Sequence, residues 1–248
     1  MTASAASLWH RAHAFGSENC SAVSSKCLHG PGARLSSRDD LSRRHFGRPL
    51  ARLARHQTHA DFRLELFHVP AFLDGDLCGQ LIALIDANRR PSTIADPNGD
   101  DYFRTSETCD LDPAEPAVGK LEDLLHALNG IAPAHGEPIQ GQRYAVGQEF
   151  KAHTDYFEPN GADFDQYCAL SGQRTWTAMI YLNEPDAGGG TRFKHIGKTF
   201  QPERGKLLTW NNRLEDGRVN PATLHHGMKV RKGVKYVITK WYRERPWR

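Results

Sequence analysis

Residues 143–157 read Arg143-Tyr-Ala-Val-Gly-Gln-Glu-Phe-Lys-Ala-His153-Thr-Asp155-Tyr-Phe157. On an extended chain side chains alternate with period 2, so His153 and Asp155 share a face. The pair alone is weak evidence, because 13 His and 17 Asp in 248 residues supply about one His-x-Asp by chance. A second copy, His59-Ala-Asp61, borders an unpatterned segment and reads as a decoy. His153 instead lies where the helical period has ended and short β-type runs follow one another between Gly, Pro and Asn clusters. These runs are 143–153, 175–182, 191–196, 206–210, 222–230 and 234–242, a spacing that predicts a sandwich or barrel.

Upstream of this β-rich half the sequence predicts a strand over 62–70 and a helix over Leu77 to Asn88, capped by Asp74 or Asp76. A further strand is expected over 102–111. A second helix is expected near Glu115 to Asn129, where Leu121, Leu124, Leu125 and Leu128 make one apolar face before Asn129-Gly130. The fold class expected is mainly β (α+β), with two helices flanking a C-terminal β core.

Charge divides the chain in two. Residues 1–58 carry nine Lys/Arg against three Asp/Glu, a net of +6, and the remainder carries −3. The first segment is rich in Ser, Arg, His and Ala and poor in aliphatics, so it is expected to be a disordered basic tail, with the domain over 59–248. A tail of this kind fits a transit peptide, a contact with nucleic acid through phosphate charge, or no specific function. The five Cys are scattered and odd in number, which argues for a reducing compartment. Cytoplasmic residence is expected, or an organelle if 1–58 is a transit peptide. No apolar stretch is long enough to span a bilayer, and no membrane partner is expected.

Two protein ligands at 153 and 155 plus a later His would make a triad of two imidazoles and a carboxylate, the set that leaves positions open on non-haem Fe(II). Leu224-His225-His226-Gly227 offers two candidates facing opposite ways. If Arg231-Lys232-Gly233 closes a three-residue hairpin, Lys229 pairs with Lys235 and His225 shares the face of Lys235; a two-residue turn selects His226. The third-position Gly favours His225. Lys235 itself stands in a run with Val234, Tyr236, Val237 and Ile238 that is too apolar for an exposed strand, so its ammonium is expected to be buried and to need an anion.

Five ordered blocks carry a resemblance: 143–157, Gly172-Gln-Arg-Thr-Trp-Thr-Ala-Met-Ile-Tyr-Leu-Asn183, Gly188-Gly-Gly-Thr-Arg-Phe193, Pro221-Ala-Thr-Leu-His-His-Gly227 and Lys232-Gly-Val-Lys-Tyr-Val-Ile-Thr-Lys-Trp241. Over 142–244 the chain resembles the catalytic domain of the prolyl 4-hydroxylase branch of the Fe(II)/2-oxoglutarate dioxygenases, and Arg104-Thr-Ser106 extends the likeness. The resemblance implies a double-stranded β-helix (jelly-roll) core. It implies Fe(II) on His153, Asp155 and His225, and 2-oxoglutarate paired through its distal carboxylate with Lys235. Tyr144 and Thr191 fall near that cosubstrate, Trp241 in the pocket wall and Arg174 near a substrate channel. O2 is the other cosubstrate, and ascorbate is implied as an accessory cofactor. The activity implied is hydroxylation of an unactivated C–H, in a prolyl residue of a peptide or protein ahead of a free amino acid or other small molecule. A non-catalytic β-barrel binding module is the alternative outside enzymology, and the intact triad with Lys235 counts against it. Phe150, Thr154 and Gly190 depart from the branch's usual residues, and none is a metal ligand.

Overall fold

The computed structural model describes residues 63–92, 103–161 and 164–247; the basic tail and the His59/Asp61 pair lie outside these residues. In chain order the elements are β1 (Leu66–Val69), α1 (Gly75–Asn88), β2 (Arg90–Pro91), β3 (Glu107–Asp110), α2 (Pro116–Asn129), β4 (Gln140–Tyr144) and β5 (Phe150–His153). Then follow α3 (Phe164–Cys168), β6 (Arg174–Tyr181), β7 (Ala187–Gly188), β8 (Thr191–Phe193), β9 (Lys198–Phe200) and β10 (Leu207–Asn211). The chain closes with β11 (His225–Gly227), β12 (Val230–Lys232) and β13 (Lys235–Arg243).

A seven-stranded sheet, ordered β1-β10-β6-β13-β4-β3-β2, and a four-stranded sheet, β5-β11-β8-β9, make the jelly roll; β12 and β7 form a small separate pair. All pairings are antiparallel. The large sheet has two different faces because side chains alternate along each strand. Trp176, Ala178 and Ile180 of β6 and Ile238 and Tyr242 of β13 join Leu81, Ile85, Leu121 and Leu125 in the helix-side core. Met179, Tyr181 and Val237 face the other way, into a second core with Tyr144, Phe193, Leu208 and Trp210.

Local chemistry explains the helices. Asp74 caps α1, its Oδ1 accepting from the Leu77 N–H at 2.8 Å. Pro116 opens α2, and Gly130, at φ 68°, ends it by donating its N–H to the His126 carbonyl. The apolar stripes of both helices then pack on the large sheet. At Gly141 of β4 a Cβ would stand 2.3 Å from Cγ1 of Ile85, so α1 sits this close only because the strand presents no side chain there.

The run read as one strand over 143–153 is two. Ala145–Glu149 forms a turn in which Ala145 N–H donates to Gln148 Oε1 and Gly147 takes φ 85°, and the turn carries the chain from the large sheet to the small one. The hairpin expected at Arg231-Lys232-Gly233 is also corrected. Gly233 is left-handed, at φ 81°, but Val230 pairs with Gly188 of β7, not Val234. Consequently β11 and β13 belong to different sheets. β2, β7, β9 and α3 are too short to leave a periodic signal.

The close approach of α1 to β4 sets a testable energetic coupling. Gly141→Ala should destabilise the protein by ~1–3 kcal/mol in denaturant unfolding. Adding Ile85→Ala should then cost clearly less than it does alone, because the two changes share one space. Strict additivity would count against this packing.

Candidate metal and cosubstrate site

His153 ends β5 and lies directly opposite His225 of β11. Their ring centroids are 4.3 Å apart. Asp155 follows in a bend beyond the strand, so its convergence comes from that bend and not from the strand's alternation alone. Its Oδ1 is 3.9 Å from His153 Nε2. Ligand atoms of His153, Asp155 and His225 all fall within 4.8 Å of one another.

Each imidazole is oriented by the backbone. His153 Nδ1 bonds the Lys151 carbonyl at 2.7 Å, and His225 Nδ1 bonds the Thr223 carbonyl at 2.9 Å. A carbonyl only accepts, so Nδ1 carries the proton in both rings and each Nε2 lone pair is left for a metal. Burial, reinforced by neighbouring His225, pushes His153 down to about 3, which keeps its ring neutral at physiological pH. Burial alone would raise Asp155, but the two imidazoles, Arg174 and the Thr177 hydroxyl outweigh it and hold the carboxylate ionised. Two imidazoles whose Nε2 atoms face one carboxylate make a donor set that fits a divalent iron ion.

The aromatic surroundings are tight. Phe150 stacks on His153 at 3.5 Å and 15°, while Trp210 meets His225 edge-on at 4.9 Å. His226 points away from the triad. Its Nε2 bonds Glu149 Oε2 at 2.9 Å, and Lys229 Nζ lies 3.4 Å from Glu149 Oε1. The structure therefore brings His225, not His226, to the site, although the pairing from which the sequence argued for it does not form.

A cavity opens over the triad and is lined also by Lys235, Tyr144, Thr191 and Trp241. Lys235, Val237, Thr239 and Trp241 occupy alternate positions of β13, which puts them all on the cavity face. Lys235 is 2% exposed and lies opposite Tyr144 on β4, its Nζ 4.9 Å from that ring's centroid and 5.5 Å from that of Tyr181. Desolvation lowers its ammonium to about 7. Thr191, 1% exposed, accepts the Tyr181 hydroxyl at 2.7 Å. Burial raises the Tyr144 phenol against the opposing pull of Arg104.

Arg174 lies behind the cavity wall. Its guanidinium makes a two-pronged ion pair with Glu137, at 2.6 and 2.7 Å, and lies 4.1 Å over the Trp241 ring. It also donates to the Asp155 carbonyl at 3.3 Å, and it is absent from the cavity lining. A guanidinium in a buried position takes the nearest carboxylate, here Glu137, which was not singled out in the sequence. The roles of Thr177 and Asn212 behind Asp155 were not foreseen, and Arg104, named only as extending the likeness, lines the cavity and lies over Phe150 at 4.9 Å. The Arg104-Thr-Ser106 motif was the one available signal for the last.

The buried ammonium makes a titration prediction. Between pH about 7 and 10.5 the unfolded chain holds the Lys235 proton while the folded chain has lost it, so this residue makes stability rise with pH across that window. Below pH 7 the folded state carries the full cost of the buried charge. Lys235→Met should therefore be more stable than wild type by ~1–4 kcal/mol near pH 6, with the gap closing toward pH 10. A gap that does not move with pH would refute the buried, uncompensated ammonium.

Similarity to known proteins agrees with this site. Residues 139–243 match the family described as the 2OG-Fe(II) oxygenase superfamily. Prolyl 4-hydroxylase 2 of Arabidopsis thaliana is 29% identical over 201 residues, covering 71% of this chain and 66% of that protein. Human prolyl 4-hydroxylase subunit alpha-1 is 29% identical over 161 residues, 63% of this chain and only 30% of the subunit. Among solved structures, the viral collagen prolyl hydroxylase of Paramecium Bursaria Chlorella virus-1, in its 2OG complex, superposes with a TM-score of 0.55 at 25% identity, covering 72% of this chain and 94% of that one. A prolyl hydroxylase of Trichoplax adhaerens, solved with a hypoxia inducible factor peptide fragment, shares the fold with a TM-score of 0.55 at 14% identity, over 84% of this chain and 94% of that one. In the matched segment, in the ligand triad it contains and in the lysine that follows, this chain is a member of the 2OG-Fe(II) oxygenase superfamily, in its prolyl 4-hydroxylase branch.

Proposed function

We propose that the chain hydroxylates a prolyl residue of a peptide or protein, consuming 2-oxoglutarate and O2 at an Fe(II) ion and releasing succinate and CO2. The observation that carries this reading is the pairing, in one cavity, of a ready two-His, one-carboxylate set with a buried ammonium that no carboxylate offsets among the described residues. A dicarboxylic acid answers both, with one end for the metal and the other for Lys235.

When bound, iron supplies the redox chemistry that couples decarboxylation of the keto acid to oxidation of a C–H bond. The protein's own contribution is positional. His153, Asp155 and His225 would hold the ion, and a set of only three protein ligands would leave room on it for the cosubstrate. Lys235 is charged about half the time near pH 7 before the cosubstrate arrives, and an incoming carboxylate favours the charged form, so binding takes up a proton. Thr191 and Tyr144 line the same cavity, the Tyr144 ring lying 4.9 Å from Lys235 Nζ, and Trp241, clamped from behind by Arg174, closes another part of the wall. Phe150, stacked on His153, brings an apolar ring to the reacting centre, which suits a pyrrolidine ring and offers it no phenolic donor. Ascorbate belongs to the proposal as the reductant that returns oxidised iron to Fe(II).

Purified protein with Fe(II), 2-oxoglutarate, O2, ascorbate and a panel of proline-containing peptides should form succinate in step with a product one oxygen heavier. His153→Ala should lower this at least 10³-fold. Equal turnover in wild type and His153→Ala would refute the catalytic reading. Oxygen addition to a free amino acid, with none to any peptide, would overturn the choice of substrate alone.

A further inference from the structure

Behind the Asp155 carboxylate runs a chain of three side chains, all fully or nearly fully buried. Trp210 Nε1 donates to Asn212 Oδ1 at 3.1 Å, Asn212 Nδ2 donates to Thr177 Oγ1 at 2.9 Å, and the Thr177 hydroxyl donates to Asp155 Oδ2 at 2.7 Å. The direction is forced. An indole N–H can only donate, so it fixes the Asn212 amide with its oxygen toward Trp210 and its NH2 toward Thr177. Thr177 Oγ1 then accepts from that NH2 and has its one proton left for Asp155. The backbone holds this order in place. Trp210 lies directly opposite Thr177 on neighbouring strands, and Asn212 is pinned by its N–H to the Thr175 carbonyl and by its own carbonyl to the Asn220 N–H.

We propose that Trp210, Asn212 and Thr177 are positioning residues that lock Asp155 Oδ2 as a permanent hydrogen-bond acceptor, so that only Oδ1 is free to ligate. This rests on the metal-site reading above and deepens it. Oδ1 is the oxygen that faces His153, at 3.9 Å from Nε2. A carboxylate held in this way offers a metal one oxygen instead of two and preserves a coordination position for cosubstrate or O2. Trp210 ties the two sides of the site together, since its ring also packs edge-on against His225 at 4.9 Å and lines the cavity. One side chain thus orients two of the three ligands, one through its ring and the other through its N–H.

Binding of Co(II) to the full-length apoprotein tests this without turnover. Equilibrium dialysis gives the dissociation constant, and the visible d–d spectrum reports the ligand field. Thr177→Val, nearly equal in shape and lacking the hydroxyl, should bind Co(II) about 10–100-fold more weakly and show an altered spectrum. Thr177→Ser keeps the donor and should remain within about 3-fold of wild type. Trp210→Phe keeps the ring against His225 but releases the amide, and should fall between the two. Thr177→Val matching wild type in affinity and spectrum would overturn the relay, as would Thr177→Ser binding as weakly as Thr177→Val. Should Thr177→Val fail to fold by circular dichroism, Trp210→Phe decides, and wild-type binding by that variant rejects the proposal. Asp155→Ala separates the two layers. If it binds Co(II) like wild type the metal site itself is wrong, whereas loss in Asp155→Ala with none in Thr177→Val removes only the relay.

Discussion

A charge buried without an ionic partner among the described residues is the constraint around which this molecule is arranged. The Lys235 ammonium and the Asp155 carboxylate share one cavity, and neither neutralises the other. Each desolvated charge weighs against folding, and the protein tolerates them because the cost is offset elsewhere. The offset comes from two separate apolar cores, one between α1, α2 and the large sheet and one inside the roll. Strand alternation makes this possible. In β6 and β13 every second side chain secures the helices, and those between are free to serve the cavity.

The same alternation decides what could be read from the sequence. The long, periodic pieces were legible: both helices with their caps, and the runs that became β6, β10 and β13. His153, Asp155, His225 and Lys235 were legible because their spacing and residue types are chemically unusual in an apolar setting. What could not be read was which strand neighbours which. The hairpin invoked to favour His225 over His226 does not exist, since β12 turns aside to β7. His225 comes to the site by pairing with His153 and Phe193 across β11, contacts made over 72 and 32 residues of chain. Non-local pairings of this kind leave no periodic trace. The 145–149 turn was hidden for another reason: Gly147 is one residue in an otherwise strand-like run, and the change of sheet depends on a side-chain bond from Gln148.

Arg174 shows a second limit. Family likeness placed it near a substrate channel, but a motif cannot say which carboxylate a guanidinium will meet. Glu137 stands 37 residues upstream, before β4, and it binds Arg243 as well, at 3.0 Å. Two arginines on one buried carboxylate leave a net positive charge beneath Trp241, close to the Phe157 ring at 4.9 and 5.1 Å. Cation–π contact spreads part of that charge over aromatic faces. The cluster therefore reaches the cavity through Trp241, whose backbone carbonyl also accepts the Glu137 N–H.

The two supports of the site are built from different materials, with different consequences. Asp155 is steadied on one side by a relay of neutral donors, in which the only charge is its own. Through its carbonyl it is tied on the other side to Arg174, whose guanidinium is fixed by Glu137. The neutral hydrogen bonds are directional and fix an angle, while the largely buried Arg174–Glu137–Arg243 cluster holds by charge attraction that burial shields from salt. Ligand geometry is thus set by the directional, neutral side. The charged side adjoins Trp241 and Phe157, at the part of the wall that differs in role from the metal-binding face. Such a division allows the residues around the substrate to change while the carboxylate that holds the metal keeps its orientation.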